Sequence, residues 1–209
     1  AVKFLIDKGV KMIVLACNTA TAAALDYLQD KYDIPIIGVV QPGARRAIQA
    51  TENNKVLVLG TKFTAKSKVY DIEIENINSD IQVVDKACPA FVPFIESEGN
   101  IDKDATKTII HETLENTRNL GVDTVVLGCT HYPILKKEIE EYYGNNIKVI
   151  SSGREAAREV SSVLGYTKLH QKRFNKKEHR FFISEDSDNF NNIASKWLNK
   201  EIIAEVVDL

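Results

Sequence analysis

No apolar run in this sequence approaches the roughly 20 residues that a membrane-crossing helix needs. The opening residues do not read as a secretory signal either. Cysteine is scarce: three residues, an odd number set far apart, do not make a disulfide framework, and a reducing cytoplasm is the expected setting. With no Cys-x-x-Cys pair, a thiol-redox centre or a close-spaced structural zinc site has little to stand on. A net charge of −2 gives no reason to expect a nucleic acid or an anionic membrane as partner. Basic residues gather once, at Lys172, Arg173, Lys176 and Lys177, with no aromatic stacking platform among them, and read as a solvated loop. A glycine-rich phosphate loop is absent, and nothing singles out a lysine for a Schiff base. Methionine occurs once, at Met12, and the chain opens with Ala1, so the natural start is expected to lie upstream.

What is present is an ordinary globular composition, 44% hydrophobic and 27% charged over 209 residues, enough for one large domain or two small ones. Short β-rich runs alternate with longer helical stretches. Strands are expected at 12–16, 36–40, 56–59, 82–85, 124–127, 148–150 and 180–183. The central ones are continuous apolar runs, as befits a parallel sheet covered on both faces. Helices are expected over 20–32, over 102–120 with Gly121 behind it, and over 133–143 with proline in the first turn and Gly144 behind it. A last helix capped by Ser187 or Asp188 runs through Trp197. This alternation predicts an α/β fold with parallel sheets.

An internal repeat carries the most information. Gly9-Val10-Lys11-Met12-Ile13-Val14-Leu15-Ala16-Cys17-Asn18-Thr19 lies over Gly121-Val122-Asp123-Thr124-Val125-Val126-Leu127-Gly128-Cys129-Thr130-His131 without a gap. A helical stretch and another apolar strand follow each cysteine at similar distances. Two similar α/β units are implied, each with a cysteine where a strand ends and a helix begins. Ligands of open α/β sheets collect beyond the carboxyl ends of the strands. A cysteine there meets unpaired N–H groups and a helix dipole that favour its thiolate, though the dipole supplies only about 0.3–1 kcal/mol at exposed positions. Asn18, Thr19, Thr130 and His131 follow directly and supply polar groups for the thiols or for a small anionic substrate.

Two equivalent thiols facing one another suit inversion of a carbon stereocentre. One base takes a proton from one face while an acid supplies one to the other, and the reverse direction exchanges the roles. Such chemistry demands neither a metal nor an organic cofactor. The plainer reading makes each cysteine a small buried hydrophobe, and for Cys88, within Ala87-Cys88-Pro89, that reading is preferred. A zinc site from Cys17, Cys88, Cys129 and His131 is a remote alternative. His111, His170 and His179 are assigned no catalytic part.

At this point the residues resemble a known family. Ala16-Cys17-Asn18-Thr19-Ala20 and Leu127-Gly128-Cys129-Thr130-His131-Tyr132-Pro133 are similar to the two cysteine motifs of glutamate racemases, members of the aspartate/glutamate racemase superfamily. Gly38-Val39-Val40-Gln41-Pro42-Gly43, Leu59-Gly60-Thr61 and Ala87-Cys88-Pro89-Ala90-Phe91-Val92-Pro93 follow that family's intermediate signatures in order. The resemblance runs to about Arg158, and more loosely beyond it. It implies that Cys17 and Cys129 act on opposite enantiomers of glutamate and that His131 assists Cys129. It further implies that Asn18, Thr19, Thr61, Thr130 and His131 bind substrate, with no cofactor and no metal. Also implied are a homodimer in the bacterial cytoplasm and D-glutamate supplied to peptidoglycan. Two similar α/β domains in pseudo-twofold relation, with the site between them, are the implied fold. They comprise residues 1–40 with 151–209, and 41–150.

The chain departs from the family pattern in three places. An Asp-Ser-Gly strand and a Tyr-Gly loop expected near the family's N-terminus are absent, so roughly a quarter of the expected protein is missing there, and weak or no activity is expected of the chain alone. Gln41 stands where glutamate is usual, and Ser151-Ser152-Gly153 where Asp-Ser-Gly is usual. Rival readings are an aspartate or hydantoin racemase of the same superfamily, for which His131 is the less usual residue, and a truncated, non-catalytic binding protein.

Overall fold

The structure, a computed structural model, describes residues 1–97, 102–144, 146–171, 179–185 and 188–208. The basic stretch Lys172, Arg173, Lys176 and Lys177 and the cap position Ser187 lie outside the described residues. The chain forms two compact units, residues 1–10 with 169–209, and residues 11–168. The smaller unit opens with helix α1 (Val2–Asp7).

The larger unit alternates strands and helices from end to end. It runs β1 (Ile13–Leu15), α2 (Asn18–Lys31), β2 (Ile36–Gly38), α3 (Val40–Ala50), β3 (Lys55–Gly60), α4 (Lys62–Ser67), α5 (Val69–Glu75) and β4 (Gln82–Ala87). Then come α6 (Phe91–Ser97), α7 (Lys103–Leu114), β5 (Thr124–Gly128), α8 (Lys136–Tyr143), β6 (Lys148–Ser151) and α9 (Ser152–Tyr166). All its strand pairs are parallel, as the alternation of elements predicts. One sheet pairs β1 with β2, and a four-stranded sheet has the order β4-β3-β5-β6. The smaller unit is completed by β7 (Phe182–Ile183), α10 (Asp188–Leu198) and β8 (Glu205–Val206), β7 and β8 being parallel. There Phe4 meets Phe182 edge to face at 5.0 Å, and Lys8 Nζ lies 5.0 Å from the Phe4 ring centre. Among the described residues no helix is long and apolar enough to cross a membrane.

The central strands alternate their side chains between two cores. Leu57, Leu59, Val125 and Leu127 pack with Phe91, Ile110, Leu114 and Ile139 of α6, α7 and α8. Val56, Val58, Val126 and Ile150 pack on the other face with Ala44 and Ala47 of α3 and Tyr70 and Ile74 of α5. Helices on both faces explain why β3 and β5 read as unbroken apolar runs. The β1–β2 sheet is less covered, and Val14 keeps 39% of its surface exposed.

Local chemistry sets the ends of the elements. Asp102 caps α7, its carboxylate accepting from the Ala105 N–H at 2.9 Å. Gly121, at φ +65°, turns the chain back toward β5. Several expected boundaries shift. The helix expected over 102–120 ends at Leu114, and a 3₁₀ turn (Glu115–Thr117) follows it. The strand expected over 36–40 ends at Gly38, because Val40 already begins α3. Pro42 falls in that helix's first turn, where a missing N–H leaves no bond unmade. The helix expected over 133–143 divides into a 3₁₀ turn (Tyr132–Leu135) followed by α8. Helices α3 and α9 were not expected, yet they pack on one another beside the sheet.

Leu57, wholly buried in the central strand, is expected to be costly to truncate. Leu57→Ala should lower stability by about 2–5 kcal/mol in urea unfolding. Tyr27→Ala, at a position 61% exposed on α2, should stay within about 0.5 kcal/mol of the unsubstituted protein.

Candidate active site

The site forms where β1, β3 and β5 run out. In the β3–β5 register Gly60 lies opposite Gly128, so Thr61 and Cys129 leave the sheet side by side. A Cβ at Gly128 would come within 2.8 Å of the Leu59 carbonyl oxygen, so the strand ends meet this closely only with glycine there. Tyr132, fully buried, braces the same place. Its hydroxyl lies 2.9 Å from the Cys88 carbonyl and 3.2 Å from that of Gly60, tying the ends of β3, β4 and β5 together.

Cys17 is the N-cap residue of α2 and is exposed. Cys129 is 8% exposed and lies near enough to Cys17 for the two thiols to interact by charge. Burial pushes the Cys129 thiol above the usual thiol range, and repulsion from Cys17 adds to this. The backbone N–H groups of His131 and Tyr132 and the Thr130 hydroxyl pull the other way without cancelling it. Cys88 is a different kind of cysteine. It is wholly buried among apolar residues, its thiol donates to the Lys86 carbonyl at 3.6 Å, and burial pushes it up to about 12. Among the described residues no group of three histidine, cysteine or acidic side chains is arranged to hold a metal ion.

His131 stands between a thiol and a carboxylate. Its Nε2 lies 2.8 Å from Glu96 Oε1, and its Nδ1 lies 3.9 Å from Cys129 Sγ and 3.3 Å from Thr130 Oγ1. When Nε2–H donates to Glu96, Nδ1 of the neutral ring is left as an acceptor facing the thiol and the hydroxyl. Glu96 sits on α6, 35 residues from His131, with no local pattern to announce it.

Three threonines meet across the cleft. Thr19 Oγ1 lies 2.9 Å from Thr61 Oγ1 and 3.2 Å from Thr64 Oγ1, and Thr61 and Thr64 lie 3.1 Å apart. Thr61 also caps α4, accepting from the Thr64 N–H at 3.1 Å. Thr64 escaped the sequence reading, although Thr61-Lys62-Phe63-Thr64 has the spacing of a helix cap and its third residue. Asn18, by contrast, turns inward. It is 2% exposed, and its side chain bonds to Tyr70 and Ser152. Gln41, on α3, donates to Glu73 Oε1 at 2.9 Å.

The structure thus brings Cys17, Thr19, Thr61, Cys129, Thr130 and His131 to neighbouring strand ends, with two thiols, one shielded and one open, beside a ring of hydroxyls. These residues form the candidate active site. Comparison with known proteins gives the family. The family model described as Asp/Glu/Hydantoin racemase matches residues 1–160. A glutamate racemase of Staphylococcus aureus is 47% identical over 205 residues, which is 98% of this chain and 77% of that protein. Among solved structures, a glutamate racemase isoform from Bacillus anthracis has a TM-score of 0.93 at 36% identity, covering 100% of this chain and 77% of its own. That of glutamate racemase from Francisella tularensis, in complex with D-glutamate, has a TM-score of 0.89 at 31% identity, covering 99% and 76%. The chain belongs to the Asp/Glu/hydantoin racemase family, among the glutamate racemases.

The raised Cys129 thiol has a direct consequence. Because the shift is upward, more of Cys129 than of an ordinary free cysteine is protonated at any pH where thiols titrate. Iodoacetamide labelling of substrate-free protein, read by peptide mass spectrometry against pH, should place the Cys129 midpoint above that of free cysteine.

Proposed function

We propose that this chain interconverts L- and D-glutamate by moving a proton at Cα, with Cys17 on one face of the substrate and Cys129 on the other. The observation that carries this reading is the pair of strand-end thiols within charge-interaction range of each other. In one direction a thiolate takes the Cα proton and becomes a thiol. The opposite thiol then gives its own proton to the other face of the carbanion and becomes the thiolate. The reverse direction runs the same steps with the roles exchanged, so the transfer balances with no metal and no organic cofactor.

The surroundings divide the labour. Cys129, raised by burial, enters the cycle as the acid. His131, oriented by Glu96, receives a hydrogen bond from Cys129 or Thr130 through Nδ1. When Cys129 becomes a thiolate, the backbone N–H groups of His131 and Tyr132 and the Thr130 hydroxyl stabilise it. Thr19, Thr61 and Thr130 turn their hydroxyls toward the substrate carboxylates. Asn18 has committed its carbonyl and one N–H inward, and offers its second N–H to substrate. In the same reading, residues 41–150 make one domain and residues 1–40 with 151–209 the other, with the site between them. The protein works as a homodimer in the bacterial cytoplasm and supplies D-glutamate for peptidoglycan.

Solvent exchange at Cα tests the reaction. With D-glutamate in deuterium oxide, the L-glutamate formed should carry deuterium at Cα, detected by proton NMR. Cys17→Ser and Cys129→Ser should each lower that rate by about 10²–10⁴-fold. Deuterium entering aspartate but not glutamate would move the substrate assignment within the family. Exchange that survives both substitutions would end the two-thiol reading.

Glu96→Ala removes the acceptor that orients His131 while leaving both thiols in place. It should lower turnover by about 10- to 100-fold, as loss of a carboxylate that orients a working histidine does. Initial rates from each enantiomer would measure it, with KM for glutamate changed far less than kcat.

A further inference from the structure

Below the two thiols runs a chain of buried hydrogen bonds of which the reaction above uses only the second N–H of Asn18. The Tyr70 hydroxyl, on α5, donates to Asn18 Oδ1 at 2.7 Å. Asn18 Nδ2 donates to Ser152 Oγ at 3.3 Å, and Ser152 Oγ donates to the Leu127 carbonyl at 3.1 Å. Tyr70 is wholly buried, and Asn18 and Ser152 are each 2% exposed. Asn18 directly follows Cys17, and Leu127 stands two residues before Cys129 on β5. One line of side chains therefore joins the start of the helix that carries one thiol to the end of the strand that carries the other.

The polarity of this line runs one way. Leu127 offers only a carbonyl, so the Ser152 hydroxyl must donate to it and accept from Asn18. The Asn18 amide must then present N–H to Ser152 and oxygen to Tyr70, and a flipped amide would leave both contacts mismatched. Burial pushes the Tyr70 hydroxyl above its usual range and keeps it a neutral donor. Packing closes the line from the side. A Cβ on Gly43 of α3 would lie 3.0 Å from the Tyr70 hydroxyl and 3.2 Å from Ser152 Cβ, so a larger residue there would press on both ends of the Asn18 amide. Thr21 holds the same helix start from its other side, its hydroxyl lying 2.9 Å from the Cys17 carbonyl and 3.1 Å from that of Leu15.

A second tie between this helix start and the end of β3 is the Thr19 hydroxyl with Thr61 and Thr64. Those hydroxyls belong to the substrate site, and a ligand would draw them away. Within the buried line only the second N–H of Asn18 is left for substrate; the bonds from Tyr70 to Asn18, Asn18 to Ser152 and Ser152 to Leu127 use other atoms and have no such competitor.

Resting on the two-thiol reading, we propose that Tyr70 and Ser152 are positioning residues. Through Asn18 they hold the Cys17 end of α2 against the Cys129 end of β5, and so set the separation of the two thiols across the substrate. Two-base transfer is sensitive to that separation, since a displacement near 1 Å costs on the order of 10²-fold in rate.

The test uses Tyr70→Phe and Ser152→Ala, each removing one hydroxyl and adding no bulk. Tyr143→Phe is the control, since it removes a half-buried hydroxyl that lies 2.6 Å from Thr117 Oγ1, in a different network. The first readout needs no turnover: iodoacetamide labelling rates of Cys17, Cys88 and Cys129 in the native protein. In Tyr70→Phe and Ser152→Ala, Cys129 should label at least several-fold faster, with Cys88 still protected and Tyr143→Phe matching the unsubstituted protein. The second readout is racemisation. In the same two variants kcat should fall about tenfold or more in both directions, KM should move little, and the isotope effect with Cα-deuterated glutamate should rise. Unchanged Cys129 labelling in both variants, or Cys88 labelling that rises in step with Cys129, overturns the proposal. Unsubstituted protein that fails to racemise glutamate defeats the proposed function instead, and the labelling rates alone then decide the positioning role.

Discussion

Everything at the site depends on how closely β3 and β5 run at their carboxyl ends. Parallel strands lie near 4.8 Å apart, and the pleat sends neighbouring side chains to opposite faces. Residues just past the last ladder pair are the first that can project beyond the sheet. With Gly60 opposite Gly128 as that last pair, Thr61 and Cys129 are those residues. Glycine is required at 128 because the Leu59 carbonyl occupies the space a Cβ would take. A one-residue slip would turn the inward leucines of β3 or β5 to the wrong core and withdraw the thiol together, so the apolar packing that stabilises the sheet also enforces the chemistry.

The sequence repeat suggests two equal halves, whereas the structure shows two unequal thiols. Cys17 caps a regular 14-residue helix in open surroundings. Cys129 precedes a 3₁₀ turn, and that turn changes what surrounds it. In the tighter turn, the N–H groups of His131 and Tyr132 point at the thiol, while Tyr132 itself drops into the core against the Cys88 and Gly60 carbonyls. Burial costs the thiolate more than these donors return, so the net shift is upward. On the two-base proposal, the thiols need to match when substrate is bound. The polar partners gathered around Cys129 offset burial most when its charge is formed.

Much of this was legible in the residues. The α/β class followed from unbroken apolar strands alternating with helices, and the start of α7 from Asp102. Both cysteines were marked by the repeat. What escaped was non-local or masked by conflicting local signals. Pro42-Gly43 looks like a turn, yet it opens α3, because a helix tolerates proline in its first turn and needs no side chain where it presses on Tyr70 and Ser152. Glu96 and Ser152 lie far from their partners in the chain, so only tertiary packing joins them. The inward bonds of Asn18 to Tyr70 and Ser152 are likewise non-local, and periodicity along α2 carries no sign of them.

That inward turn of Asn18 bears on how a site between two sheets can be both tight and accessible. A cleft must open for glutamate to enter, and a contact that holds the cleft must be breakable by substrate or lie where substrate cannot compete. The threonine ring is of the first kind: its hydroxyls have alternative partners once a carboxylate arrives. The Tyr70–Asn18–Ser152 line is of the second kind, because burial removes water as a competitor and each group in it has a single fitting polarity. Motion that spares the buried line and loosens the threonines would open the cleft at its mouth while the base of each thiol stays in register. On the two-thiol proposal, the division between exchangeable hydroxyls at the rim and a committed amide at the root would let two thiols on separate sheets return to one geometry after every turnover.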